Sequence, residues 1–331
     1  MPELEFRNAV RDALDEELAR DDAVVFFGED VGKPGGVFAV TGGLQERHGA
    51  ERVFDTPISE LAITAAAFGA AITGLRPVIE IMFGDFLFLA MDSLANQAAK
   101  YWFISEEQAS VPLVVRSAVG AGGRFGAIHS QMPVPWFQGI PGLKIVAPST
   151  PRDAKGLLKA AIRDENPVLF LEHKRLYSLK GEPGEPEEVA PLGRAQIIRE
   201  GTDLTLVTAM KSVHDSLAAA EQLSTEGIDI ELIDLRTLRP LDRDTVLESV
   251  KRTNRLMVVE EGPRTGGWAG GIIADVAEHA LEYLDDAWRL TTPDAPIPYS
   301  PPLEDAFLPS AEHIVASVRE HLRPKPVKST A

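Results

Sequence analysis

The sequence predicts an α/β protein of two domains, each built on an open, doubly wound sheet. Its 331 residues correspond to about two domains of ordinary size. Strand-like apolar runs alternate with helix-like patterns in both halves, which favours parallel sheets covered by helices on both faces. The stretch from Lys180 to Pro191 is rich in Pro, Gly and Glu, as linkers are. We therefore expect a domain over 1–180, a linker over 181–195 and a second domain over 196–331.

Helices in the first half are predicted where apolar residues recur at helical spacing, and strands where short apolar runs occur. Gly74 follows one of these helices and is a typical carboxyl-terminal stop. In chain order the predicted elements are the helix Phe6–Leu18, the strand Val24–Phe27, the helix Leu61–Ile72, the strand Val78–Phe83, the helix Phe86–Ile104, the strands Leu113–Val115 and Ile145–Val146, the helix Arg152–Arg163 and the strand Val168–Leu171.

The second half repeats the alternation. Its predicted elements are the strand Leu204–Val207, the helix Val213–Leu223, the strands Ile228–Ile233 and Leu256–Glu260, and the helix Ile272–Leu284. In open α/β sheets, ligands gather at the carboxyl ends of the strands. The loops that follow these strands are therefore the first places to look for a functional site.

Composition excludes several classes of function. With 33 basic and 50 acidic residues, the net charge is −17, which disfavours binding to nucleic acid or to an anionic membrane. The absence of cysteine excludes disulfides, Cys-ligated zinc, iron–sulfur clusters and thiol catalysis within the chain. The sequence shows neither a basic leader with an apolar block nor an apolar run of about 18 residues, so we expect a cytoplasmic protein.

Two segments could place chemical groups at the end of a strand. Thr56 and Pro57 predict a helix N-cap and first helical position, which puts Glu60 in the first turn. There Glu60 could simply stabilise the helix dipole, or act as an acid or base at the mouth of the domain. Phe86 follows a predicted strand, and its ring could belong to the core or stack on a planar ligand.

The segment Gly120–Gly126 has the spacing G-x-G-x-x-x-G, which departs from the dinucleotide fingerprint. Its glycines are better explained by sharp turns or close backbone approach. His129 and Ser130 follow, but the chain contains no G-x-S-x-G elbow, so a serine hydrolase is not supported. His129 is either structural or a proton donor. The sequence also lacks the P-loop and H-E-x-x-H patterns.

An ordered set of segments resembles the β subunit of the thiamine-diphosphate-dependent first component of 2-oxoacid dehydrogenase complexes, shared by pyruvate, branched-chain 2-oxoacid and acetoin dehydrogenases. The matching segments include Gly28–Val31, Asp55–Glu60, Gly74–Pro77, His129–Gln131, Pro141–Val146, Asp153–Leu158, Ile162–Pro167, Asp234–Arg236 and the stretch at Leu303. The resemblance implies a transketolase-like pyrimidine-binding domain followed by a transketolase C-terminal domain.

The resemblance also implies that thiamine diphosphate lies between α and β chains in an assembly of two of each. The family holds the diphosphate and Mg²⁺ with a Gly-Asp-Gly motif, which this sequence lacks, since Gly84-Asp85 is followed by Phe86. The α chain is therefore expected to hold Mg²⁺.

Site residues follow from the resemblance by position. Glu60 matches the glutamate that shares a proton with the pyrimidine ring of the cofactor, and Phe86 matches the aromatic residue that packs on that ring. His129 matches the histidine that faces the substrate, and Glu29 an acidic residue of a solvent tunnel between cofactors. Many members hold K⁺ through backbone carbonyls, and the matching positions are Leu113, Ala161, Ile162, Asp164 and Asn166.

Departures from the family pattern concern the rim of the substrate entrance. Trp102 and Glu106-Glu107 stand where many members have a basic or tyrosyl residue and a Gly-Gly pair. Met132-Pro133 replaces small polar residues that are frequent after the His-Ser-Gln. These changes leave open which substrate enters.

The resemblance implies oxidative decarboxylation of a 2-oxoacid, with pyruvate favoured, and acyl transfer to lipoamide on an acyltransferase core. The acidic surface suggests docking to a basic segment of that core. Acetoin cleavage on the same scaffold is the nearest alternative. A non-catalytic scaffold paralogue and an independent nucleotide-binding protein are the alternatives from other classes.

Overall fold

Residues 3–322, those that a computed structural model describes, form two main sheets of seven and five strands and a two-stranded ribbon. The strands are β1 (Leu4–Glu5), β2 (Val24–Gly28), β3 (Val53–Asp55), β4 (Arg76–Phe83), β5 (Val114–Val119), β6 (Lys144–Val146), β7 (Val168–His173), β8 (Lys180–Gly181), β9 (Gln196–Arg199), β10 (Leu204–Thr208), β11 (Ile230–Asp234), β12 (Thr237–Arg239), β13 (Arg255–Pro263) and β14 (Asp286–Thr292).

Helices cover the sheets and connect their strands. They are α1 (Phe6–Arg20), α2 (Leu44–His48), α3 (Glu60–Ile72), α4 (Ala99–Ile104), α5 (Val134–Gln138), α6 (Pro151–Arg163), α7 (Lys211–Ser224), α8 (Arg243–Thr253), α9 (Trp268–His279), α10 (Pro301–Phe307) and α11 (Ala311–Leu322). None of the helices in 3–322 is long and apolar enough to cross a membrane.

The first sheet has the strand order β12-β6-β7-β5-β4-β2-β3. Its strands run parallel except β12, which pairs antiparallel with β6 although it comes from the second half of the chain. Every residue of β2, β5 and β7 is buried, as expected for strands covered on both faces. Because these strands are parallel, the loops after β3, β2, β4, β5 and β7 all begin at one edge.

The second sheet has the order β14-β13-β10-β11-β9, and only its edge strand β9 is antiparallel. α7 and α11 pack together over one face, around a cluster that includes Leu206, Leu223 and Ile314. α8 and α9 pack against strands of the same sheet, and their apolar residues, such as Val250 and Ile272, belong to a core that is continuous with that of the first sheet. The predicted α/β class with two open sheets is confirmed.

The prediction of one continuous helix over Phe86–Ile104 was wrong. The segment consists of a 3₁₀ turn at Gly84–Phe88, a π-helical turn at Ser93–Ala98 and α4. Gly84, where the 3₁₀ turn begins, packs so closely against the end of β5 that an added Cβ would lie 2.7 Å from Val119 Cγ1. The chain therefore stays close to β5 as it leaves β4, which the apolar pattern could not indicate.

Two predicted helix starts were also wrong. α3 begins at Glu60 rather than near Pro57, because the Thr56 N–H donates to Gly28 O at 2.9 Å and keeps Thr56 in the ladder with β2. α9 begins at Trp268, before the predicted Ile272, and ends at His279. Sequence patterns did not predict α8, β14, α10 or α11.

A buried ion cluster ties three central strands together. Arg116 on β5 donates to Glu172 on β7 at 2.7 and 2.9 Å and to Glu80 on β4 at 2.9 Å. Tyr177 completes the cluster by donating its hydroxyl to Glu172 at 3.0 Å. Burial raises the pKa of Glu80, so the guanidinium is needed to keep this carboxylate charged.

Replacing Arg116 with Met should lower the free energy of unfolding by about 3–5 kcal/mol, because two carboxylates would remain buried without a cation. Urea denaturation monitored by circular dichroism measures the change. Arg152→Met is the matched control, since Arg152 pairs with Glu188 at the surface, and we expect no measurable effect. Equal stability of the two variants would contradict this account.

Glu260, on β13, caps the amino-terminal end of α9 although it lies outside that helix. Its two carboxyl oxygens accept the N–H groups of Trp268 at 3.0 Å and Ala269 at 2.9 Å. Burial raises the pKa of Glu260 to about 7, with these two hydrogen bonds opposing the rise. The folded chain therefore binds this proton more tightly than the unfolded chain does.

It follows that the contribution of Glu260 to stability is greatest at low pH and declines as pH rises from 4.5 to about 7. Glu260→Gln should flatten this decline, whereas Glu282→Gln on the exposed surface should leave it unchanged. The measurement is the free energy of unfolding in urea at about pH 5 and about pH 8. A slope unaffected by Glu260→Gln would contradict the prediction.

Candidate active site

The four predicted site residues lie along the carboxyl edge of the first sheet. Glu29 follows β2, Glu60 begins α3 after β3, Phe86 follows β4 and His129 lies in the loop after β5. These strands are neighbours in the order β3-β2-β4-β5. Glu60 follows β3 and His129 follows β5, with β2 and β4 between these two strands. The edge holds two groups of residues.

The first group is the carboxyl pair Glu29 and Glu60. Both side chains are buried, with 8% and 6% of their surface exposed. Burial raises the pKa of Glu29, and the nearby charges of Glu60 and Asp30 raise it further. The protonated form of the Glu29 carboxyl group is therefore more favoured here than it is in water. When protonated, this group can donate a hydrogen bond to a ligand at this edge.

The second group is an aromatic cluster around His129. The ring of His129 meets Phe83 and Phe86 edge-on, with centroid distances of 4.9 and 5.3 Å. Phe125 also lies 6.0 Å from Phe83. Phe86 and His129 are only partly buried, so their outer surfaces remain available to a ligand. The sequence predicted both residues but not their contact.

Several buried polar atoms at this edge have no hydrogen-bond partner within residues 3–322. They are Glu29 Oε1, Thr56 Oγ1, Asp85 Oδ2 and Ser130 Oγ. Buried polar groups in folded proteins are nearly always hydrogen-bonded. Their concentration beside the two groups indicates that this edge is completed by a ligand or by another chain.

Asp85 anchors the segment that carries His129. Its Oδ1 accepts the backbone N–H of Gln131 at 3.2 Å and the Gln131 amide at 2.8 Å. A cavity of about 410 Å³ beside this segment is lined from both halves of the chain, by Ile128 and Ser130 of the first and Glu261 and Phe307 of the second. The second half thus contributes directly to the surroundings of His129.

Sequence reasoning missed Lys174 and His173, which lie at the end of β7. Lys174 donates to the carbonyl oxygen of His129, and its Nζ lies 5.2 Å from the ring centroid of Phe83. Burial lowers the pKa of Lys174 to about 8, although nearby carboxylates oppose the change. His173 Nε2 lies 2.9 Å from Glu261 Oε2. The available signal was a run of charged residues directly after the apolar strand Val168–Leu171.

The predicted potassium ligands lie together away from the carboxyl edge. The carbonyl oxygens of Ile162 and Asp164 accept hydrogen bonds from the Arg76 guanidinium at 2.9 and 2.8 Å. Leu113 O accepts from Val168 N, and Ala161 O from Asp164 N, at 2.8 and 3.2 Å. A positive group therefore already lies against two of these carbonyls.

Two of the residues that depart from the family pattern at the substrate entrance have an unusual backbone conformation. Glu106 and Glu107 both adopt left-handed conformations, with φ of 53° and 66°. This region favours glycine, which explains why the family pattern has Gly-Gly there. Trp102 is 46% exposed, beside the exposed Phe103 and Ile104.

The two halves match models of known domains. Residues 2–180 match the transketolase pyrimidine binding domain, and residues 193–314 match the transketolase C-terminal domain. A solved structure described as a split-gene transketolase, an inactive β4 tetramer, has a TM-score of 0.80 at 22% identity and covers 98% of this chain and 99% of its own. The fold and the edge thus define a two-domain, transketolase-like protein.

Curated relatives specify the family. The chain is 47% identical to the acetoin:2,6-dichlorophenolindophenol oxidoreductase β subunit of Cupriavidus necator, over 97% of this chain and 98% of the relative. It is 44% identical to the 2-oxoisovalerate dehydrogenase β subunit of Bacillus subtilis, over 97% and 99%. It is 45% identical to the mitochondrial pyruvate dehydrogenase E1 β-1 subunit of Arabidopsis thaliana, over 98% and 91%.

The chain belongs to the family of E1 β subunits of the pyruvate, branched-chain and acetoin dehydrogenases. This family depends on thiamine diphosphate, and its β subunits work in complexes with α subunits.

Glu60→Gln should lower the pKa of Glu29, because it removes a like charge from the pair. The change is measured by following the Glu29 carboxyl carbon in a ¹³C NMR pH titration of the full chain. Asp30→Asn is the matched control and should have a smaller effect. An unchanged pKa in Glu60→Gln would contradict the pairing.

Proposed function

We propose that this chain is the catalytic β subunit of a thiamine-diphosphate-dependent dehydrogenase that oxidatively decarboxylates a 2-oxoacid, with pyruvate favoured, and transfers the acyl group to lipoamide. The observation that carries the proposal is the carboxyl edge, where the pair Glu29–Glu60 and the cluster around His129 adjoin buried polar atoms that lack partners.

The residues at this edge suit the pyrimidine of the cofactor. Glu60 provides a buried carboxyl group that would share a proton with a ring nitrogen, and Glu29, whose pKa is raised, lies near it. Phe86 offers a partly exposed ring for packing against a planar heterocycle. When bound, the cofactor supplies an electron sink for decarboxylation.

His129 would face the substrate and handle protons there. Its ring is held edge-on by Phe83 and Phe86, and its backbone carbonyl is held by Lys174. Such fixed orientation favours proton transfer because little rearrangement is needed. The apolar wall on one side also limits the access of water to the ring.

The α subunit would provide what this chain lacks. No Gly-Asp-Gly motif occurs in the sequence, so we assign Mg²⁺ and the diphosphate to the partner. We further propose two α and two β chains, and docking on a lipoyl acyltransferase core. A bound K⁺ stays a prediction; it would have to use lone pairs of Ile162 O and Asp164 O that Arg76 leaves free.

Acetoin cleavage is a specific second candidate, since the acetoin enzyme subunit from Cupriavidus necator is 47% identical to this chain. Substrates that differ by a methylene differ in binding by only about 1–3 kcal/mol, which depends on few contacts. Dye-linked turnover of the reconstituted complex with pyruvate, branched-chain 2-oxoacids and acetoin would decide between them.

Glu60→Gln should lower turnover of the complex reconstituted with its α subunit by about 100-fold or more, because an amide cannot transfer the required proton. The matched control is Glu46→Gln, an exposed position on α2, which should retain wild-type turnover. Unchanged turnover in Glu60→Gln would contradict the assignment of Glu60. A wild-type complex that binds thiamine diphosphate but turns over none of these substrates would favour a non-catalytic scaffold.

A further inference from the structure

We propose that two glutamates of the second half, Glu261 and Glu304, are positioning residues that clamp the glycine-rich loop 120–126 and thereby fix His129. The proposal rests on the proposed role of His129 in the reaction. It assigns to the C-terminal domain a part in catalysis beyond assembly.

Glu304 holds the loop from α10. Its side chain is fully buried, with Oε1 accepting the Gly122 N–H at 2.9 Å and Oε2 accepting from Arg124 Nη1 at 2.6 Å. Arg124 also donates to Asp305 at 2.7 Å and to Pro301 O at 3.1 Å. α10 thus binds the loop in two ways, through the backbone of Gly122 and through the side chain of Arg124.

Glu261, which lies on β13, binds the backbone of Ala121, the residue before Gly122. Its Oε1 accepts the Ala121 N–H at 2.6 Å, and its Oε2 lies 2.9 Å from His173 Nε2. Burial opposes ionisation of this carboxyl group, but His173 and the Ala121 hydrogen bond hold the pKa of Glu261 below its ordinary value. Successive N–H groups of the loop therefore each meet a carboxylate from the other domain.

The glycines of the loop make this arrangement possible. Gly120 and Gly122 have φ of 85° and 86°, which turns consecutive N–H groups outward in the manner of an anion-binding nest. An added Cβ at Gly120 would overlap the His173 ring, and one at Gly122 would lie 2.6 Å from Arg175 Nη1. The loop is therefore pressed onto the end of β7 and held there by the two glutamates.

The clamp reaches His129 through two further contacts. Lys174 follows His173 and donates to the His129 carbonyl oxygen, and the negative charges of Asp85, Glu261 and Glu304 favour its charged form. Asp85 fixes the other side of His129 through Gln131. Loss of the clamp should increase the mobility of the chain between Gly120 and Gln131. The imidazole of His129 would then no longer be held in one position.

Hydrogen exchange of the full chain tests the clamp without reference to activity. Glu304→Ala and Glu261→Ala should each accelerate exchange in 120–131 by about tenfold or more, because hydrogen bonds to charged groups are lost. Glu312→Gln, an exposed position on α11, is the control and should exchange like the wild type. Since Glu304 is buried, Arg124→Met at a half-exposed position serves as the variant that keeps the fold.

The reconstituted complex tests the consequence for catalysis. Both alanine variants should lower kcat by about tenfold or more with little change in KM, since a misplaced His129 affects the reaction more than substrate binding. Glu304→Gln retains an oxygen for the Gly122 N–H and should recover part of kcat. A merely structural role would change thermal stability without separating kcat from KM.

Wild-type exchange rates over 120–131 in Glu304→Ala, Glu261→Ala and Arg124→Met would overturn the clamp. Faster exchange accompanied by wild-type kcat would overturn its link to His129. If the wild-type complex itself showed no turnover, the proposed function would fail, whereas the exchange data would still decide whether the clamp exists.

Discussion

The parallel order of the first sheet is the constraint on which the site depends. Parallel pairing brings the carboxyl ends of all its strands except β12 to one edge, so residues far apart in sequence lie near one another in space. Glu60, Glu29, Phe86 and His129 come from four separate loops of this edge, and His173 and Lys174 from a fifth. A different strand order would change which of these residues lie next to one another along the edge.

Buried charge keeps that order fixed and then serves the site. Arg116 spans Glu80 and Glu172 across the three central strands, immediately beneath the loops. Toward the carboxyl edge, charges become less fully paired, as at Glu29, Asp85 and Lys174. Charged groups inside the sheet are therefore neutralised by ion partners within the chain. At the carboxyl edge the ionisable groups have fewer partners, and a ligand can supply the missing contacts.

The fold was largely predictable from sequence, because the strands β2, β4, β7 and β10 are rich in apolar and β-branched residues and alternate with helical patterns. The predictions failed where the structure depends on distant contacts. The segment expected as one helix over Phe86–Ile104 is divided into 3₁₀, π-helical and α-helical turns, and the start of α9 is capped by Glu260 from β13. Glu60, Phe86 and His129 were candidates from local patterns, and their roles came from the resemblance. The contacts of Lys174, Glu261 and Glu304 join distant parts of the chain, so they became visible only in three dimensions.

The central claim is that Glu60 holds a proton for the pyrimidine of thiamine diphosphate at this edge. The most direct measurement is the ¹⁵N chemical shift of cofactor labelled in its pyrimidine ring, bound to the reconstituted complex. The account predicts a protonated ring nitrogen with the wild-type chain and an unprotonated one with Glu60→Gln at the same pH. The same shift with both chains would contradict it.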